Sequence, residues 1–500
     1  MIGKRQRSQP TLFIPGSIED FIPDDHILKR VDRVLDLSWL RGEVEGLYCD
    51  DNGRPGIDPE AAVRLMLAGF FHGIVHDRKL MREAQVNIAF RWFAGYSLED
   101  RLPDHSSLTR IRQRWGAETF RRIFTRTVAA CAAAGLVSGE TVHIDATLIR
   151  ADVSWASLTE AWTEATLKKN TEERPDGNGP DLPRKGRTAT RKKHPKKRST
   201  TDPDATLTTS SKESRMEPCF KQHTAVDDES GIIVDVGVTT GEANEGELLM
   251  ETIGRVEETV GKTPEHITAD AGYAHSRNYA SCEKNGIDAI IPPQRTNNAK
   301  NAMPASRFKF DAKHQRLRCP AGHNMPHVTR TERGLVFRAA AADCKRCPHR
   351  HSCVPASAKT RTVVIIDGYE ALLRARRRRE HWDEATAESY KRHRWRVEGV
   401  HGEAKTQHGL RRAVRRGLDN VSIQVYLTAV AMNLKRLAAF IFSFIASVAS
   451  RMRLKTEFFA SICFFSRCRP AQRKLLYSFF KDGCSMNFSG FLNSPTGPGF

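Results

Sequence analysis

The sequence predicts an α/β fold with an all-α region before it and a small cysteine-rich insert within it. Three observations lead to this prediction. Residues 1–136 contain long runs with apolar side chains at three- and four-residue spacing, which is typical of amphipathic helices. Between Glu140 and Pro293, apolar runs of strand length alternate with helical stretches, as in mixed α/β domains. Several cysteines then follow at close spacing within a basic segment.

The N-terminal 136 residues are predicted to form a helical DNA-binding or dimerisation domain. In the run 58–95, Asp58 is suited to cap a helix and Pro59 to occupy its first turn. A second helical run covers 104–136, with Asp104 or Ser106 as its cap. Its arginines are expected to form a cationic surface, which is either a solvated helix face or a DNA-binding one. They are Arg110, Arg112, Arg114, Arg121 and Arg122.

Residues 137–440 are predicted to form the α/β domain, and 441–500 a C-terminal tail. The segment 165–215 has too few apolar residues to fold alone, so we expect a flexible basic insert there. The segment 294–365 is expected to form the cysteine-rich insert, and a long helical region is expected from about 370 to 437. Strands are predicted at 141–152, 220–228, 231–241, 266–273 and 287–293, and helices at 246–261 and 276–285.

The charge of the chain indicates a polyanionic partner. Lysine and arginine number 79 against 59 acidic residues, a net charge of +20. Basic surfaces bind nucleic acid by releasing the counterions condensed on its phosphates. The charge is clustered at 184–198 and 374–380, which favours nucleic-acid binding over a merely soluble basic surface or linker. The first cluster supplies candidate phosphate contacts at Arg191, Lys192, Lys193, Lys196, Lys197 and Arg198.

The sequence also favours a soluble, intracellular protein. The first residues have no apolar core of a secretory signal, so we expect reduced cysteines. The longest apolar stretch, 437–449, is shorter than the roughly 18 residues that suggest a membrane span. We expect it to be a buried helix.

Three acidic motifs carry the chemistry. HIDATLIRAD (143–152) and HITADAGYAH (266–275) place Asp145 and Asp270 at strand ends, and RWRVEGVHGEAK (394–405) places Glu398 on a helix. Carboxylates on rigid elements are the ligands that Mg²⁺ prefers. Taken alone, an acid after a strand usually marks a loop, and Arg394, Glu398 and Lys405 also fit an ordinary salt-bridge stripe. Two further acids, Asp152 and Glu403, are rival candidates.

Together these motifs resemble the DDE transposases of bacterial insertion sequences. In that family the first Asp lies on the opening strand of an RNase H-like domain and the second follows a later strand, as Asp145 and Asp270 would. The glutamate lies in a Tyr-x₂-Arg-x₃-Glu-x₆-Lys signature. Arg394, Glu398 and Lys405 match this signature, whereas Tyr390 lies one residue too far upstream. PDHSSLTRIRQR (103–114) and the helical stretch 409–437 resemble other parts of such enzymes.

The resemblance implies a fold, an activity and a set of site residues. The fold would be an RNase H-like mixed sheet flanked by helices. Asp145, Asp270 and Glu398 would hold two Mg²⁺ or Mn²⁺ ions, and Lys405 and Arg394 would bind phosphates near the cut. Trp395 would either stack on an unpaired base or lie in the core, and we favour the core.

The implied substrate is double-stranded DNA. A transposase of this kind binds the terminal inverted repeats of its element, cuts there and joins the 3′ ends to target DNA. Pairing of two ends implies a homodimer or higher oligomer in the DNA complex. The implied location is the bacterial cytoplasm, in association with the nucleoid.

The cysteine cluster predicts a structural zinc site. Cys344 and Cys347 have the spacing that lets two thiolates reach one ion, and Cys319 and Cys353 complete a tetrahedral set. An iron–sulfur cluster and unligated reduced thiols remain open alternatives. The rival ligands are His323, His349 and His351.

Two other functions are consistent with the sequence. One is a non-catalytic nucleic-acid-binding protein with a zinc module, derived from a transposase. The other is a metal nuclease of similar fold that hydrolyses DNA without joining it. The three carboxylates argue against the first, because a pure DNA-binding protein does not need them.

Overall fold

The computed structural model describes residues 16–49, 56–160, 197–209, 216–294, 303–355 and 358–467. The chain divides into two compact units, Met1–Ala438 and Ala439–Phe500. The predicted basic insert lies mostly outside the described residues, and Arg191, Lys192, Lys193 and Lys196 are among those not described.

The first part of the larger unit is helical, as predicted. The run 58–95 forms three helices, because the chain turns at Gly73, whose φ is +68°, and again at Asn87. Asp58 caps the first helix by accepting hydrogen bonds from the backbone of Glu60 and Ala61, and Pro59 is its first residue. The described helices of this part are Ile27–Asp32, Leu40–Val44, Pro59–Phe71, Asp77–Val86, Ile88–Phe93 and His105–Ala133, with 3₁₀ turns at Ile18–Phe21 and Glu45–Leu47.

The helix His105–Ala133 corrects the expectation of a cationic surface for Arg112, one of the five arginines predicted to form it. Arg110, Arg114 and Arg122 are exposed. Asp104 caps it, and Gly116 breaks its regular geometry with φ +69°. Arg112 is only 3 % exposed, and its two terminal nitrogens bind the two carboxylate oxygens of Asp77 at 2.8 Å each. This arginine therefore ties two helices together in the core and is not available to DNA.

The second part of the larger unit is built on an eight-stranded mixed sheet. β5 (Glu217–Asp227) is antiparallel to β1 (Thr141–Arg150) and to β6 (Ile233–Thr240). β7 (His266–Ala269) is parallel to β1 on its other side, and β8 (Asp288–Ile290) is parallel to β7. The five central strands thus run in the order β6-β5-β1-β7-β8. These five strands were predicted from the sequence, and all of them are found.

Three short strands extend the sheet and overturn part of another prediction. β2 (Leu158–Glu160), β3 (Lys197–Ser199) and β4 (Thr206–Thr208) pair in series and join β5 through β4. Residues 197–208 were expected in a flexible insert, but they belong to the sheet. The pairing of Thr206 with Cys219 of β5 supplies the partners that this polar segment lacks on its own.

Helices cover the sheet. Leu249–Val260 and Ser276–Lys284 match the two predicted helices, and 3₁₀ turns lie at Trp155–Ser157, Glu245–Glu247 and Ala271–Tyr273. The predicted long helical region has a break at residues 407–417. Its helices are Tyr369–Glu380, Glu384–Thr406 and Leu418–Arg467. We call Glu384–Thr406 the Glu398 helix.

The segment 303–366 has a small apolar core of its own. Two three-stranded sheets contribute to it, together with the helices Ala341–Lys345 and Arg350–Cys353. Phe308, Leu317, Phe337 and Cys353 are buried in this core. The strands are β9 (Lys309–Asp311), β10 (Arg316–Arg318), β11 (Asn324–Met325), β12 (His327–Thr331), β13 (Gly334–Arg338) and β14 (Thr362–Ile366), and a 3₁₀ turn lies at Ala305–Arg307.

The apolar stretch 437–449 is helical, but its burial stops early. Leu437 and Ala438 are buried, whereas Phe440 and Phe444 are 41 % and 63 % exposed. The expectation of a buried helix is therefore wrong for these two side chains. In the described part of the chain, Leu418–Phe444 has the length and apolar character of a membrane span, and 61 % of its most apolar window is buried. Core helices of soluble proteins have the same properties, so these properties are weak evidence for a membrane span.

Candidate active site

The sheet brings Asp145 and Asp270 side by side. Asp145 lies in the middle of β1, opposite Thr224 of β5. Asp270 follows the last residue of β7, and the parallel register pairs Ile144 with Ala269, one residue earlier on each strand. The Asp270 carboxylate accepts a hydrogen bond from the Gly272 amide at 2.8 Å, which fixes its orientation. Both acids line one cleft of about 790 Å³.

The carboxylates in this cleft repel one another. Burial raises the pKa of Asp145 to about 7, and the negative charges of Asp270, Glu245 and Glu398 add to this effect. Burial and Glu245 also raise the pKa of Asp270, against the hydrogen bond from Gly272. Close carboxylates with raised pKa values bind protons or cations, since either relieves the repulsion.

A chain of buried polar groups holds the Glu398 helix against the sheet. His143 of β1 is hydrogen-bonded through Nε2 to Asp228 at 2.9 Å and through Nδ1 to the Thr268 hydroxyl at 2.6 Å. The same hydroxyl is 2.9 Å from Nδ1 of His393 on the helix. Burial lowers the pKa of His393 to about 4, so it is neutral at physiological pH. The helix is thus fixed to β1 and β7, the two strands that carry the aspartates.

Glu398 faces the carboxylate pair only in part. Its side chain is 62 % exposed and lies 3.4 Å from Nε of Arg394, as the salt-bridge alternative predicts. Its charge nevertheless acts on Asp145. Within the described residues, no three or more His, Cys, Asp or Glu side chains are close enough to form a metal site. A metal that used Glu398 would therefore require its side chain to turn away from Arg394.

The other wall of the cleft is basic. Nζ of Lys405 donates a hydrogen bond of 2.5 Å to the Thr147 hydroxyl, two residues after Asp145. Burial and the positive charge of Arg411 lower the pKa of Lys405. Arg411 and Arg150 line the same cleft, although Arg150 is ion-paired with Glu217 at 2.6 Å. The cleft therefore joins acidic groups to cations over a short distance.

Several residues of the cleft were missed by the sequence analysis. Glu245 and Lys221 both line it, and they form an ion pair of 2.9 Å. Tyr273 does not line the cleft but is buried beside its acids, and burial together with the charges of Asp145, Glu245 and Asp270 raises its pKa well above 10. Glu245 comes shortly after β6, as Asp270 comes after β7, and that position was the available signal. Asp145, expected at a strand end, lies instead within β1.

The structure corrects the expectation for Trp395. This side chain is 53 % exposed, so the core position is wrong. The Arg396 guanidinium lies 4.3 Å from the centre of its ring, a cation–π contact on the protein surface. Among the predicted DNA contacts, Arg394 and Arg198 are also exposed, and Lys197 lies in β3.

The two rival carboxylates have structural partners. Asp152 is ion-paired with Arg412 at 3.0 Å. Glu403 is bound by Lys435 at 2.9 Å and by Arg436 at 2.8 Å, both on the following helix. Glu403 thus points away from the cleft, as its position five residues after Glu398 predicts.

Tyr390, the residue displaced from the signature, lies near the site. Its ring stacks on that of His393, with centroids 5.9 Å apart and planes 9° from parallel. Burial raises the pKa of Tyr390, and so do the charges of Asp270 and Asp145. The one-residue shift therefore leaves this tyrosine close to the carboxylates.

The four predicted zinc ligands share a second, much smaller cavity. Cys319, Cys344, Cys347 and Cys353 line a space of about 20 Å³. Burial raises the pKa of Cys353, and the other three cysteines raise it further, against Arg361. His323 and His349 also line this cavity. Within the described residues these thiols, like the carboxylates of the cleft, are not close enough together to form a metal site.

Comparison with known families decides the class of the chain. Residues 16–114 match the family described as "Transposase domain (DUF772)", and residues 318–438 match "Transposase DDE domain". The chain carries the domains of a DDE transposase. The resemblance stated from the sequence is thus confirmed. Glu398, Lys405 and the four cysteines lie within the DDE match, whereas Asp145 and Asp270 lie between the two transposase matches.

Two other comparisons add little to the transposase assignment. No curated protein matches the sequence. Among solved structures, the chain is similar to a piggyBac transposase synaptic complex with hairpin DNA, with 11 % identity and a TM-score of 0.30. That similarity covers 86 % of this chain and 81 % of the other.

Proposed function

We propose that the protein binds the terminal inverted repeats of an insertion sequence, cleaves the DNA there and joins the 3′ ends to target DNA. The observation that carries this proposal is the placement of Asp145 and Asp270 on adjacent parallel strands, with the Glu398 helix docked against both. The strand order β6-β5-β1-β7-β8 supports an RNase H-like fold for this domain. Asp145 lies on the opening strand of the domain and Asp270 follows a later strand, as the resemblance implies.

The donor groups fit two Mg²⁺ or Mn²⁺ ions. Asp145 and Asp270 supply only oxygen atoms, their charges repel one another, and Glu398 is exposed and has room to turn. When bound, two such ions supply an activated water or 3′-hydroxyl and stabilise the leaving oxygen. The three carboxylates would hold the ions, and the strands and helix that carry them are rigid elements.

The cations of the cleft position the DNA. Lys405 and Arg411 face the acidic wall and bind the phosphates on either side of the scissile bond. Because burial lowers the pKa of Lys405, an incoming phosphate gains a partly desolvated ammonium as its partner. Arg394 would then exchange its ion pair with Glu398 for a phosphate.

Exposed groups beside the site extend the DNA contact. Trp395 presents an open ring face for stacking on an unpaired end base. The basic run from Arg191 to Arg198 contacts phosphates without sequence preference. The partner is thus the DNA of the bacterial nucleoid, and no membrane takes part in the interaction. Two ends are held in a homodimer or higher oligomer.

The test is Mg²⁺-dependent cleavage of labelled DNA that carries the ends flanking this gene. Asp145→Asn, Asp270→Asn and Glu398→Gln should each reduce cleavage by about 10³-fold or more, because each removes a metal ligand. DNA binding in a mobility-shift assay should persist. Glu388→Gln is the matched control, since Glu388 lies on the same helix with its side chain 56 % exposed.

Three results would contradict the proposal in different ways. Full activity of one variant would remove that residue from the site. If the folded wild-type protein binds this DNA without cleaving it, the result would favour a non-catalytic nucleic-acid-binding protein. Nicked product without joined product would favour a hydrolytic nuclease.

We also propose that Cys319, Cys344, Cys347 and Cys353 hold a structural zinc ion. Their convergence on one small cavity supports this, together with the spacing of Cys344 and Cys347. The ion would brace the segment 303–366, which joins β8 to the helices before Glu398.

A further inference from the structure

We propose that Glu245 is a further metal ligand, which binds a divalent cation together with Asp145 and Asp270. The inference rests on the proposed function, because it assigns a fourth carboxylate to the same site. It is not implied by the three-acid signature, and the Glu245 side chain contributes to the cleft from a different element, the turn after β6.

The first evidence is the position of the Glu245 carboxylate. Oε2 of Glu245 lies 3.1 Å from the point that a Cβ on Gly272 would occupy, and Oδ1 of Asp270 lies 2.9 Å from the same point. Both carboxylates therefore lie beside this glycine, which has no side chain to occupy the space near them. Glu245 also raises the pKa of Asp145 more than Glu398 does.

The second evidence is that the backbone around Glu245 is held on both sides. The Asn244 side chain accepts a hydrogen bond from the Gly246 amide at 3.2 Å, and Nδ2 of Asn278 donates to the Gly246 carbonyl at 2.7 Å. Lys221 donates to the Ala243 carbonyl at 2.8 Å. A ligand needs such support, because metal affinity depends on donors that are already in place.

Lys221 stabilises these acids in the absence of metal. Its Nζ is 2.9 Å from Oε1 of Glu245, and its charge also lowers the pKa of Asp270. This ion pair is made by Oε1 of Glu245. Because no three His, Cys, Asp or Glu side chains are close enough to form a metal site among the described residues, binding would require the Glu245 carboxylate to move towards Asp145 and Asp270.

The third evidence comes from a buried hydroxyl group and not from a carboxylate. The Tyr273 hydroxyl is buried and has no hydrogen-bond partner among the described residues. The charged groups that act on it are Asp145, Glu245 and Asp270. A buried hydroxyl without a partner is costly, and a water on a bound cation would satisfy it.

The competing explanation is that Glu245 only neutralises Lys221. A measurement of metal affinity distinguishes these two roles of Glu245. An ion-pair partner and a metal ligand both affect folding, but only a ligand contributes strongly to cation binding. Isothermal titration with Ca²⁺, which supports binding without cleavage, measures this on the full chain without DNA.

We expect Glu245→Gln to weaken Ca²⁺ binding by about tenfold or more. Glu247→Gln should bind as the wild type does, because Glu247 lies exposed on the same turn. Glu245→Asp keeps the charge and should weaken binding less than Glu245→Gln. This second variant covers the case in which Glu245→Gln does not fold, which circular dichroism would reveal.

Asp145→Asn distinguishes failure of this inference from failure of the proposed function. If Asp145→Asn weakens binding and Glu245→Gln does not, the Glu245 assignment is wrong and the metal site stands. If neither variant changes Ca²⁺ binding, the metal site itself is wrong. Weakened binding in both, with Glu247→Gln unchanged, supports the assignment.

Discussion

At the scale of single residues, the cleft holds several carboxylates close to one another on one wall. Burial raises the pKa values of Asp145 and Asp270, and the charge of Glu245 raises both further. Lys221 forms an ion pair with Glu245. A site optimised for stability alone would replace such acids, because each close pair of like charges opposes folding. We therefore expect the proposed cation to relieve this repulsion when it binds.

The Tyr273 hydroxyl gives a direct test of this view. Tyr273→Phe should stabilise the metal-free protein by about 1–3 kcal/mol, because it removes a buried hydroxyl that lacks a partner. It should also reduce the additional stability gained with Ca²⁺. Urea unfolding in EDTA and in excess Ca²⁺ measures both effects.

Tyr279→Phe is the matched control for Tyr273→Phe. The Tyr279 hydroxyl is also buried, but it donates a hydrogen bond of 2.8 Å to the Ile291 carbonyl. Its removal should destabilise the protein by about 1 kcal/mol in both conditions. A loss of stability in Tyr273→Phe without metal would mean that its hydroxyl has a partner after all.

At the scale of elements, local sequence predicted the central strands and the Glu398 helix but not their relative placement. Apolar runs defined β1, β5, β6, β7 and β8, because each is buried on the face of a sheet. Arg112 was misplaced, because its partner Asp77 lies on another helix. For the same reason Glu245 was missed, since its neighbour Asp270 is distant in sequence. Contacts between distant residues are not encoded in local periodicity.

The segment 303–366 carries a prediction at this scale. We expect the reduced, folded protein to contain about one equivalent of zinc, and Cys347→Ser to lose it. Because the segment has its own apolar core, zinc removal should increase amide exchange within it without unfolding the main sheet.

Cys49→Ser is the control for the zinc measurement, since Cys49 is exposed and lies outside the cluster. Elemental analysis on protein purified without chelators gives the metal content. Less than about half an equivalent of zinc in the folded wild type would rule the site out.

At the scale of the whole molecule, the helical N-terminal part and the sheet domain are joined by buried polar contacts. Asp77 binds Arg112 of its own part and Arg415 of the segment after the Glu398 helix, at 2.7 Å for the latter. The His408 ring is hydrogen-bonded to the Phe70 carbonyl at 2.7 Å. The sequence predicted two separate regions, and it held no signal for these contacts because their partners are over 300 residues apart.

Glu403 links the Glu398 helix to the long helix that follows, and it makes stability depend on pH. Burial alone would raise its pKa, but His408, Arg436 and Lys435 outweigh burial and hold the pKa well below 4.5. A carboxyl whose pKa is lower in the folded state than in the unfolded state stabilises the protein above the unfolded value. That stability is lost as the pH falls below about 4.5.

Glu403→Gln should therefore destabilise the protein by about 2 kcal/mol at pH 7, because the amide cannot form the charged hydrogen bonds to Lys435 and Arg436. Below pH 4.5 the difference from the wild type should shrink by up to about 1.4 kcal/mol per pH unit, as the wild-type carboxyl becomes protonated during unfolding. Urea unfolding from pH 7 to pH 3.5 measures this. Glu388→Gln, on the exposed face of the same helix, should show no such trend. A difference that stays constant with pH would mean that the Glu403 carboxylate contributes through packing and not through its charge.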